Sequence, residues 1–468
     1  MAGIKSFGIY LPLWRLPLSL ISPNLKGEKA VAALDEDSVT MAVSASQECL
    51  RGLDRKIVDG LIFSSTTSPY AEKQLASLIA LAIDLRPDIF TLDIGGSLKA
   101  GTDALKVAVD TIQVRGAKNV LVVAADCRTA SPGSPLEMSL GDGASAILVG
   151  RDDVMAEFED SFSIANEMMD IWRASGQSFV KTWEERFIVG EGYQDIMIKT
   201  MKGLMDKQGL KSSDYHRLAL YTPDMRSHLQ VAKELGFDSK SQVQDPSLSK
   251  IGNIGTPQPL LLLGEILKKA HEGERLMVAG YGGGADALSF KTTQRVSEAQ
   301  RLRGLEDYLK SMRNIPDYLS YLKSRGLIQQ DPPRPEFGNT APSATSVWRE
   351  RDQIFGMKGA RCKSCKTIQF PPQRVCVQCH TKDQFELIRL ADCKGKLFSF
   401  SRDALTDTVM GMIDFDEGGR MFGSLTDCFF EELKVDMPVG MQFRKTFFDG
   451  EKQNYFWKIS PQRFNEEG

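Results

Sequence analysis

Apolar residues in positions 1–295 fall in short runs separated by amphipathic stretches. "VDGLIFSS" (58–65), "IFTLDI" (89–94), "KNVLVVAAD" (118–126) and "GASAILVG" (143–150) have strand length. Their near-continuous apolar character predicts strands buried on both faces. "ASLIALAIDL" and "SLKAGTDALKVAVDTIQ" instead carry helical spacing, and in the second Leu98, Leu105, Ala108 and Ile112 share one face. The alternation predicts an α/β unit with helices on both faces of its sheet. The pattern then returns. "HRLALYTPD" (216–224) has the form of "VDGLIFSSTT", a strand leading into small polar residues. "RLMVAGYGGGADALSFK" (275–291) has the form of "NVLVVAADCRTA" with "GDGASAILVG": strand, glycine-rich turn, strand. Residues 1–295 therefore read as a pseudo-duplicated α/β domain.

Beyond residue 295 the pattern changes. Residues 296–350 are expected to be a helical linker, with Leu305, Tyr308, Leu309 and Met312 at helical spacing and a second amphipathic run after Pro316. "QQDPPRPEFGNTAPSATS" follows as a semi-extended connector. The Tyr and Leu residues leave two readings open, a plain linker or helices docked on a neighbouring domain or subunit. Residues 391–468 are β-rich: "GKLFSFSRDAL" alternates, a hairpin is expected around Glu417-Gly418-Gly419, and another turns at Asp449-Gly450. Several short strands in so short a segment fit a small β-barrel of the OB type.

Composition narrows the function. The chain has 468 residues and a net charge of -3, which gives no overall attraction to nucleic acid or to anionic membrane. No run approaches the ~18 apolar residues of a membrane span, and "TPQPLLLLGEILKKA" reads as a buried helix. Lys5, Pro12, Arg15 and Pro17 break the apolar start, unlike a signal peptide. A cytoplasmic protein is expected. Of the eight cysteines, Cys362, Cys365, Cys376 and Cys379 form two CxxC pairs in "ARCKSCKTIQFPPQRVCVQCHTK". Each pair can set two thiolates on one side of a tight turn, and four thiolates satisfy a tetrahedral zinc ion with no open position. Residues 351–390 are thus expected to be a zinc ribbon holding structural zinc, with a redox CxxC as the alternative and His380 as a bystander. Zinc ribbons and OB-folds occur in nucleic-acid binders, but Asp403, Asp407, Asp414, Asp416 and Glu417 make the barrel segment acidic, and no basic-aromatic strip is present.

Several segments together resemble the thiolase superfamily, specifically its hydroxymethylglutaryl-CoA synthase branch: "TTSPYAEKQLASLIALAI", "GGSLKAGTDAL", "GDGASAILVG", "YTPDMRSHLQVAKELGF", "GNIGTPQPLLLL" and "GYGGGADAL". Residues 350–468 resemble the zinc-ribbon/OB-fold proteins that accompany thiolases, through "RCKSCKTIQFPPQRVCVQC" and "GKLFSFS". The resemblance implies a thiolase-like fold, an acyl-CoA substrate, and either a homodimer or a complex with a thiolase-type subunit. It also locates the site. The family's nucleophilic cysteine falls on Ser97, its glutamate on Thr66 and its histidine on Tyr221; its asparagine is kept as Asn253. A basic residue facing CoA phosphates corresponds to Arg226.

These replacements change the chemistry. A cysteine at a helix N-terminus gains thiolate character, whereas a serine hydroxyl stays protonated and needs a base. Only four histidines exist, and His228, seven residues past Tyr221, is the candidate base. Ser97 can be an N-cap, a hydrogen-bonding partner for a bound thioester, or both. Tyr221 can be core filler or an acid/base; thiolase-like aldolases that pair with zinc-ribbon/OB-fold partners dispense with the cysteine and use tyrosine. The expected function is C–C bond formation or cleavage in a β-hydroxy- or β-ketoacyl-CoA without a cysteine nucleophile. The alternative is a non-catalytic subunit that completes a complex with a true thiolase.

Overall fold

Nine strands make the main sheet: β1 (Gly3–Tyr10), β2 (Gly60–Ser65), β3 (Phe90–Gly95), β4 (Asn119–Cys127), β5 (Asp142–Gly150), β6 (Ala156–Ala165), β7 (Arg217–Leu220), β8 (Arg275–Tyr281) and β9 (Gly284–Thr292). The computed structural model describes residues 2–328, 342–404, 408–448 and 452–464. Most of the predicted connector and the predicted Asp449-Gly450 turn lie outside them. The described residues form two compact units, one from 2–79 and 85–328, the other from 80–84 and the residues after 341.

The sheet order is β7-β8-β9-β6-β1-β5-β4-β2-β3. The expected duplication is written in this order. Outward from the centre, one half runs β1, β5, β4, β2, β3 with antiparallel, antiparallel, parallel and parallel pairings. The other half runs β6, β9, β8, β7 with the same sequence of directions. The counterpart of β3 is reduced to one parallel bridge, Leu218 to Val243. The halves join where Gly3 and Ile4 of β1 pair with Glu157 and Ala156 of β6.

Helices α1 (Ser38–Cys49) and α3 (Asp195–Gln208) cover corresponding strands of the two halves, and α4 (Met225–Glu234) follows β7. Helices α2 (Ala100–Arg115) and α5 (Gln258–Lys269) run between the halves and touch strands of both. That position explains the composition of α5. Every residue from Gln258 to Leu267 is buried, so the helix is buried all round rather than on one stripe, with leucines at half of those positions and Gln258 and Glu265 the polar exceptions. Each leucine there contributes roughly 1.5–3 kcal/mol of burial.

The segment expected to link the domains belongs in part to this first unit. Helices α6 (Leu305–Ser311) and α7 (Tyr318–Ser324) dock through the bulky residues that set the pattern. The Tyr308 hydroxyl donates to the Ile9 carbonyl at 2.6 Å. Tyr321 and Ile315 pack with Leu16 and Val31. Docking rather than a plain linker is therefore what residues 305–328 do, and they belong to the same compact unit as the residues before 295.

In the second unit, β10 (Lys358–Cys362) pairs with β11 (Ile368–Gln369) and β12 (Phe385–Arg389). A five-stranded sheet follows: β13 (Gly395–Arg402), β14 (Val409–Phe415), β15 (Arg420–Ser424), β16 (Pro438–Phe448) and β17 (Gln453–Pro461), in the order β15-β14-β13-β16-β17. A bridge from Leu425 to Ile459 brings its two edges together. Leu397, Ile413, Phe443 and Trp457 fill the interior. The predicted turn between β14 and β15 has Gly418 and Gly419 at φ 102° and 94°, which side-chain-bearing residues rarely adopt.

Candidate functional site

Ser97 sits where β3 turns into α2. Gly96 has φ 79°, and α2 begins only at Ala100, with Lys99 as a cap residue that makes no side-chain cap bond. The Ser97 hydroxyl accepts the Lys99 N–H at 3.2 Å, as a capping serine does, and donates to the Gly282 carbonyl at 2.7 Å. The hydroxyl proton is thus committed to a backbone carbonyl, with no imidazole or carboxylate bonded to it among the described residues. The Gly282 loop lies against the first turn of this helix: a Cβ on Gly282 would come within 2.8 Å of Ser97 Oγ and of the Leu98 nitrogen.

Tyr221 follows β7 and is 3% exposed. Its backbone N–H donates to the Ala279 carbonyl at 2.9 Å, holding it beside β8. Its hydroxyl accepts from Asn253 Nδ2 at 3.1 Å. Asn253 is fixed in turn: Nδ2 also donates to the Thr222 carbonyl (3.3 Å) and Oδ1 accepts the Gly255 N–H (3.0 Å). Tyr193 donates to the Tyr221 carbonyl at 2.6 Å and meets the rings of Tyr221 and Tyr281 edge-on. Burial pushes the Tyr221 phenol above its ordinary pKa, while the nearby Arg128 guanidinium and the Asn253 bond pull against that rise. Burial raises Tyr193 and Tyr281 as well. At neutral pH all three phenols hold their protons.

Thr66 is tied to a residue that sequence reasoning missed. Asp126, fully buried at the end of β4, accepts from Thr66 N (2.7 Å), Thr66 Oγ1 (3.0 Å), Ser65 Oγ (3.1 Å) and Thr67 Oγ1 (3.3 Å) on one oxygen. Its other oxygen accepts the Thr256 N–H at 2.8 Å. One carboxylate therefore clamps the Thr66 loop to the turn that carries Asn253. A Cβ on Gly255 would fall 2.4 Å from that carboxylate, and Gly255 has φ 76°. The signal in the sequence was an acid closing an apolar strand, in "VVAADCR".

Of the expected residues, Tyr221 and Asn253 touch, Thr66 joins them through Asp126, and Ser97 joins through the Gly282 loop that follows Tyr281. Arg226 stands apart, exposed on the first turn of α4. His228 on the same helix is 1% exposed, and burial drives its pKa down to about 4. Neither ring nitrogen has a hydrogen-bond partner, so this neutral imidazole does not serve Ser97.

Arg128, two residues past Asp126, is also buried, at 5% exposure. Its Nε and Nη1 have no hydrogen-bond partner. Its carbonyl accepts from Arg325 Nη2 at 2.9 Å, and Arg325, following α7, pairs with the buried Asp142 at 2.6 Å. The docked helical segment thus buttresses the turn that carries Arg128.

The four cysteines converge in the second unit. Their sulfurs all lie within 4.8 Å of one another, with Cys362 to Cys379 at 3.6 Å and Cys365 to Cys376 at 3.5 Å. A tetrahedron of sulfurs ~2.3 Å from a zinc ion has edges of roughly 3.8 Å, so the set fits zinc. The two CxxC turns repeat each other. Lys366 N–H closes on the Cys362 carbonyl and His380 N–H on the Cys376 carbonyl, both at 3.0 Å. Lys366 and His380 both have positive φ, 64° and 62°. Thr367 and Thr381 place hydroxyls 3.2 and 3.3 Å from the sulfurs of Cys365 and Cys379. His380 is thus a knuckle residue outside the cysteine cluster.

Comparison with known proteins decides the family. The hydroxymethylglutaryl-CoA synthase of Methanocaldococcus jannaschii is 31% identical over 345 residues, 70% of this chain and all of that one. The chain belongs to the hydroxymethylglutaryl-CoA synthase family. The synthase of Methanopyrus kandleri is 30% identical over 340 residues, 69% of this chain and 97% of its own. Among solved structures, a hydroxymethylglutaryl-CoA synthase complexed with CoA superposes with a TM-score of 0.64 at 19% identity, covering 73% of this chain and 94% of that one. The 3-oxoacyl-[acyl-carrier-protein] synthase III of Aquifex aeolicus gives 0.56 at 20% identity, covering 62% and 100%. The synthase-like part thus has the pseudo-duplicated thiolase-like fold expected from its sequence. Unlike those synthases, it continues into two further modules. Residues 358–386 match the family described as the ChsH2 rubredoxin-like zinc ribbon domain, and residues 389–444 the ChsH2 C-terminal OB-fold domain. Among the described residues no helix is long and apolar enough to cross a membrane.

Proposed function

We propose that this synthase-family chain binds an acyl-CoA and makes or breaks a C–C bond at the β-carbon of a β-hydroxy- or β-ketoacyl group, in an aldol or retro-aldol reaction without a covalent acyl-enzyme. The observation that carries this reading is the hydrogen bond between Tyr221 and Asn253, set beside a Ser97 hydroxyl whose proton goes to Gly282. Tyr221 holds its proton at neutral pH because it is buried. As the Cα–Cβ bond closes, the donor carbon gives up its proton to solvent and Tyr221 delivers its own to the oxyanion at the β-carbon; as the bond opens, Tyr221 takes the β-hydroxyl proton and the released enolate carbon is protonated from solvent. Asn253 fixes the direction of the phenol oxygen. Ser97 and the helix end behind it present a polar edge to the thioester, and Thr66, with no acidic proton of its own, shapes the pocket through Asp126. Arg226, exposed on α4, meets the CoA phosphates. The four cysteines hold a structural zinc that stiffens the ribbon and takes no part in the chemistry. By family resemblance the chain works in the cytoplasm as a homodimer or beside a thiolase-type subunit.

A second reading, a non-catalytic subunit for a thiolase, is favoured by the loss of the family's cysteine, glutamate and histidine. Incubating the purified chain with β-hydroxy- and β-ketoacyl-CoAs, with and without candidate thiolases, separates the two. Turnover by the chain alone supports the first reading; turnover only with a cysteine-bearing partner supports the second.

A further inference from the structure

The far end of α2 carries a cleft that the proposed reaction does not use. Helix α2 runs 16 residues, from just past the Ser97 turn to Arg115, about 24 Å at 1.5 Å per residue. Beyond that end, where β2, β3 and β4 begin, lies a cleft of about 680 Å³, a size usual for small-molecule sites. Lys56, Arg115 and Lys118 line it. Among the described residues, no carboxylate pairs with these three side chains, and none of them makes a hydrogen bond.

One carboxylate does reach the cleft, from Asp59, but its charge is already answered. Arg86, which also meets the exposed Asp88, pairs with one oxygen. The other oxygen accepts the N–H groups of Lys118 (2.7 Å) and Asn119 (3.1 Å). The carbonyl end of α2 is negative as well, and Arg151 offsets it by donating to the Ile112 carbonyl at 2.6 Å. The three lining cations are thus left in excess. The cleft also has an aromatic wall. Phe90 opens β3, the outer strand of the sheet, and lies against Gly60, its register partner on β2. A Cβ on Gly60 would fall 2.0 Å from the Phe90 ring, so only glycine lets the ring take this place. Phe90 is still 37% exposed, and it lines the cleft.

We propose that this cleft binds a nucleoside diphosphate, with the base against Phe90 and the phosphates on Lys56, Arg115 and Lys118. Such a ligand carries about three negative charges near neutral pH, which three cations answer. A carboxylate would leave most of that charge unmatched, and a neutral base would leave all of it. The cleft is separate from the residues assigned to the acyl-CoA, so the proposal stands whether or not that reading holds.

The test is calorimetric titration of the full-length chain with ADP at low ionic strength, with saturating CoA present so that any CoA site is filled. Adenosine and inorganic pyrophosphate are titrated alongside. One ADP is expected to bind per chain. Pyrophosphate should bind about tenfold more weakly for want of stacking, and adenosine about 100-fold more weakly for want of charge. Arg115→Gln and Lys118→Gln, both at exposed positions, should each weaken ADP about tenfold. Phe90→Ala should weaken ADP by a similar factor while leaving pyrophosphate within about threefold. Failure of wild type to bind ADP overturns the proposal without any variant having to fold. So does ADP binding that CoA abolishes, or that folded Arg115→Gln and Lys118→Gln leave unchanged. Pyrophosphate binding as tight as that of ADP overturns the nucleotide assignment.

Discussion

Asp126→Ala tests the clamp beneath the site. The carboxylate accepts two backbone N–H groups, from Thr66 and Thr256, and three hydroxyls. The hydroxyls can turn to other acceptors. The Thr256 N–H is buried and cannot, and the Thr66 N–H is half-buried. Each buried donor left unsatisfied costs about 1–3 kcal/mol, so truncation should destabilise the synthase-like unit by roughly 2–6 kcal/mol. Asp126→Asn keeps one oxygen for the Thr66 loop and sets an amide N–H₂ against the Thr256 N–H, so about 1–3 kcal/mol is expected. Urea denaturation followed by circular dichroism reads both, taking the transition of the synthase-like unit. For a unit of this size, the Asn variant should also lower the melting temperature by roughly 1–2 °C per kcal/mol. CoA-thioester binding should weaken too, because the Thr66 loop and the Asn253 turn come apart. A loss below about 1 kcal/mol for Asp126→Ala would refute the clamp, since it would mean that both backbone donors find partners elsewhere.

Three further outcomes follow from the same geometry. His228 holds a pKa of about 4 in the fold against an ordinary ~6.5. The unfolded chain therefore binds more protons between those values, and stability present above pH 6.5 is lost as pH falls towards 4, by up to about 3 kcal/mol; His228→Leu should flatten that slope in melts taken across the window. Zinc analysis should find one zinc ion per chain, and Cys362→Ser should lose it and unfold the ribbon while CoA-thioester binding by the first unit persists. Ser97→Ala removes the bond to Gly282 and should cost about 1 kcal/mol of stability, yet turnover should stay within about tenfold of wild type, whereas an obligatory nucleophile would lose several orders of magnitude.

Much of the fold was legible because β2, β4, β5 and β8 are buried on both faces and so read as continuous apolar runs. The duplication was legible for the same reason, since both halves end in a strand, glycine turn, strand unit. β1 was harder to read. "GIKSFGIY" is interrupted by Lys5 and Ser6, and its burial comes from β5 on one side and the start of β6 on the other. The helices after residue 304 showed their spacing but not their destination, because Tyr308 reaches back to Ile9 and Tyr321 to Leu16. The site divides in the same way. The cysteine pairs are local, and four Sγ atoms at near-tetrahedral spacing follow from two tight turns. Asp126 gains its meaning from partners more than 50 residues away, such as Thr66, and Arg128 from the Tyr221 phenol that its guanidinium bonds. Neither fact is written in a local pattern.

The central claim is that Tyr221 carries the proton and Ser97 carries no acyl group. The most direct measurement is the turnover number of the purified chain on a β-hydroxyacyl-CoA, taken beside Tyr221→Phe at saturating substrate. Phenylalanine preserves the ring and leaves Asn253 Nδ2 bonded to the Thr222 carbonyl, so binding and folding should persist. The account predicts that the chain turns over unaided and that the variant loses about 10²-fold or more in kcat with KM little changed. Turnover that survives Tyr221→Phe, or that appears only when a cysteine-bearing thiolase is added, would contradict it.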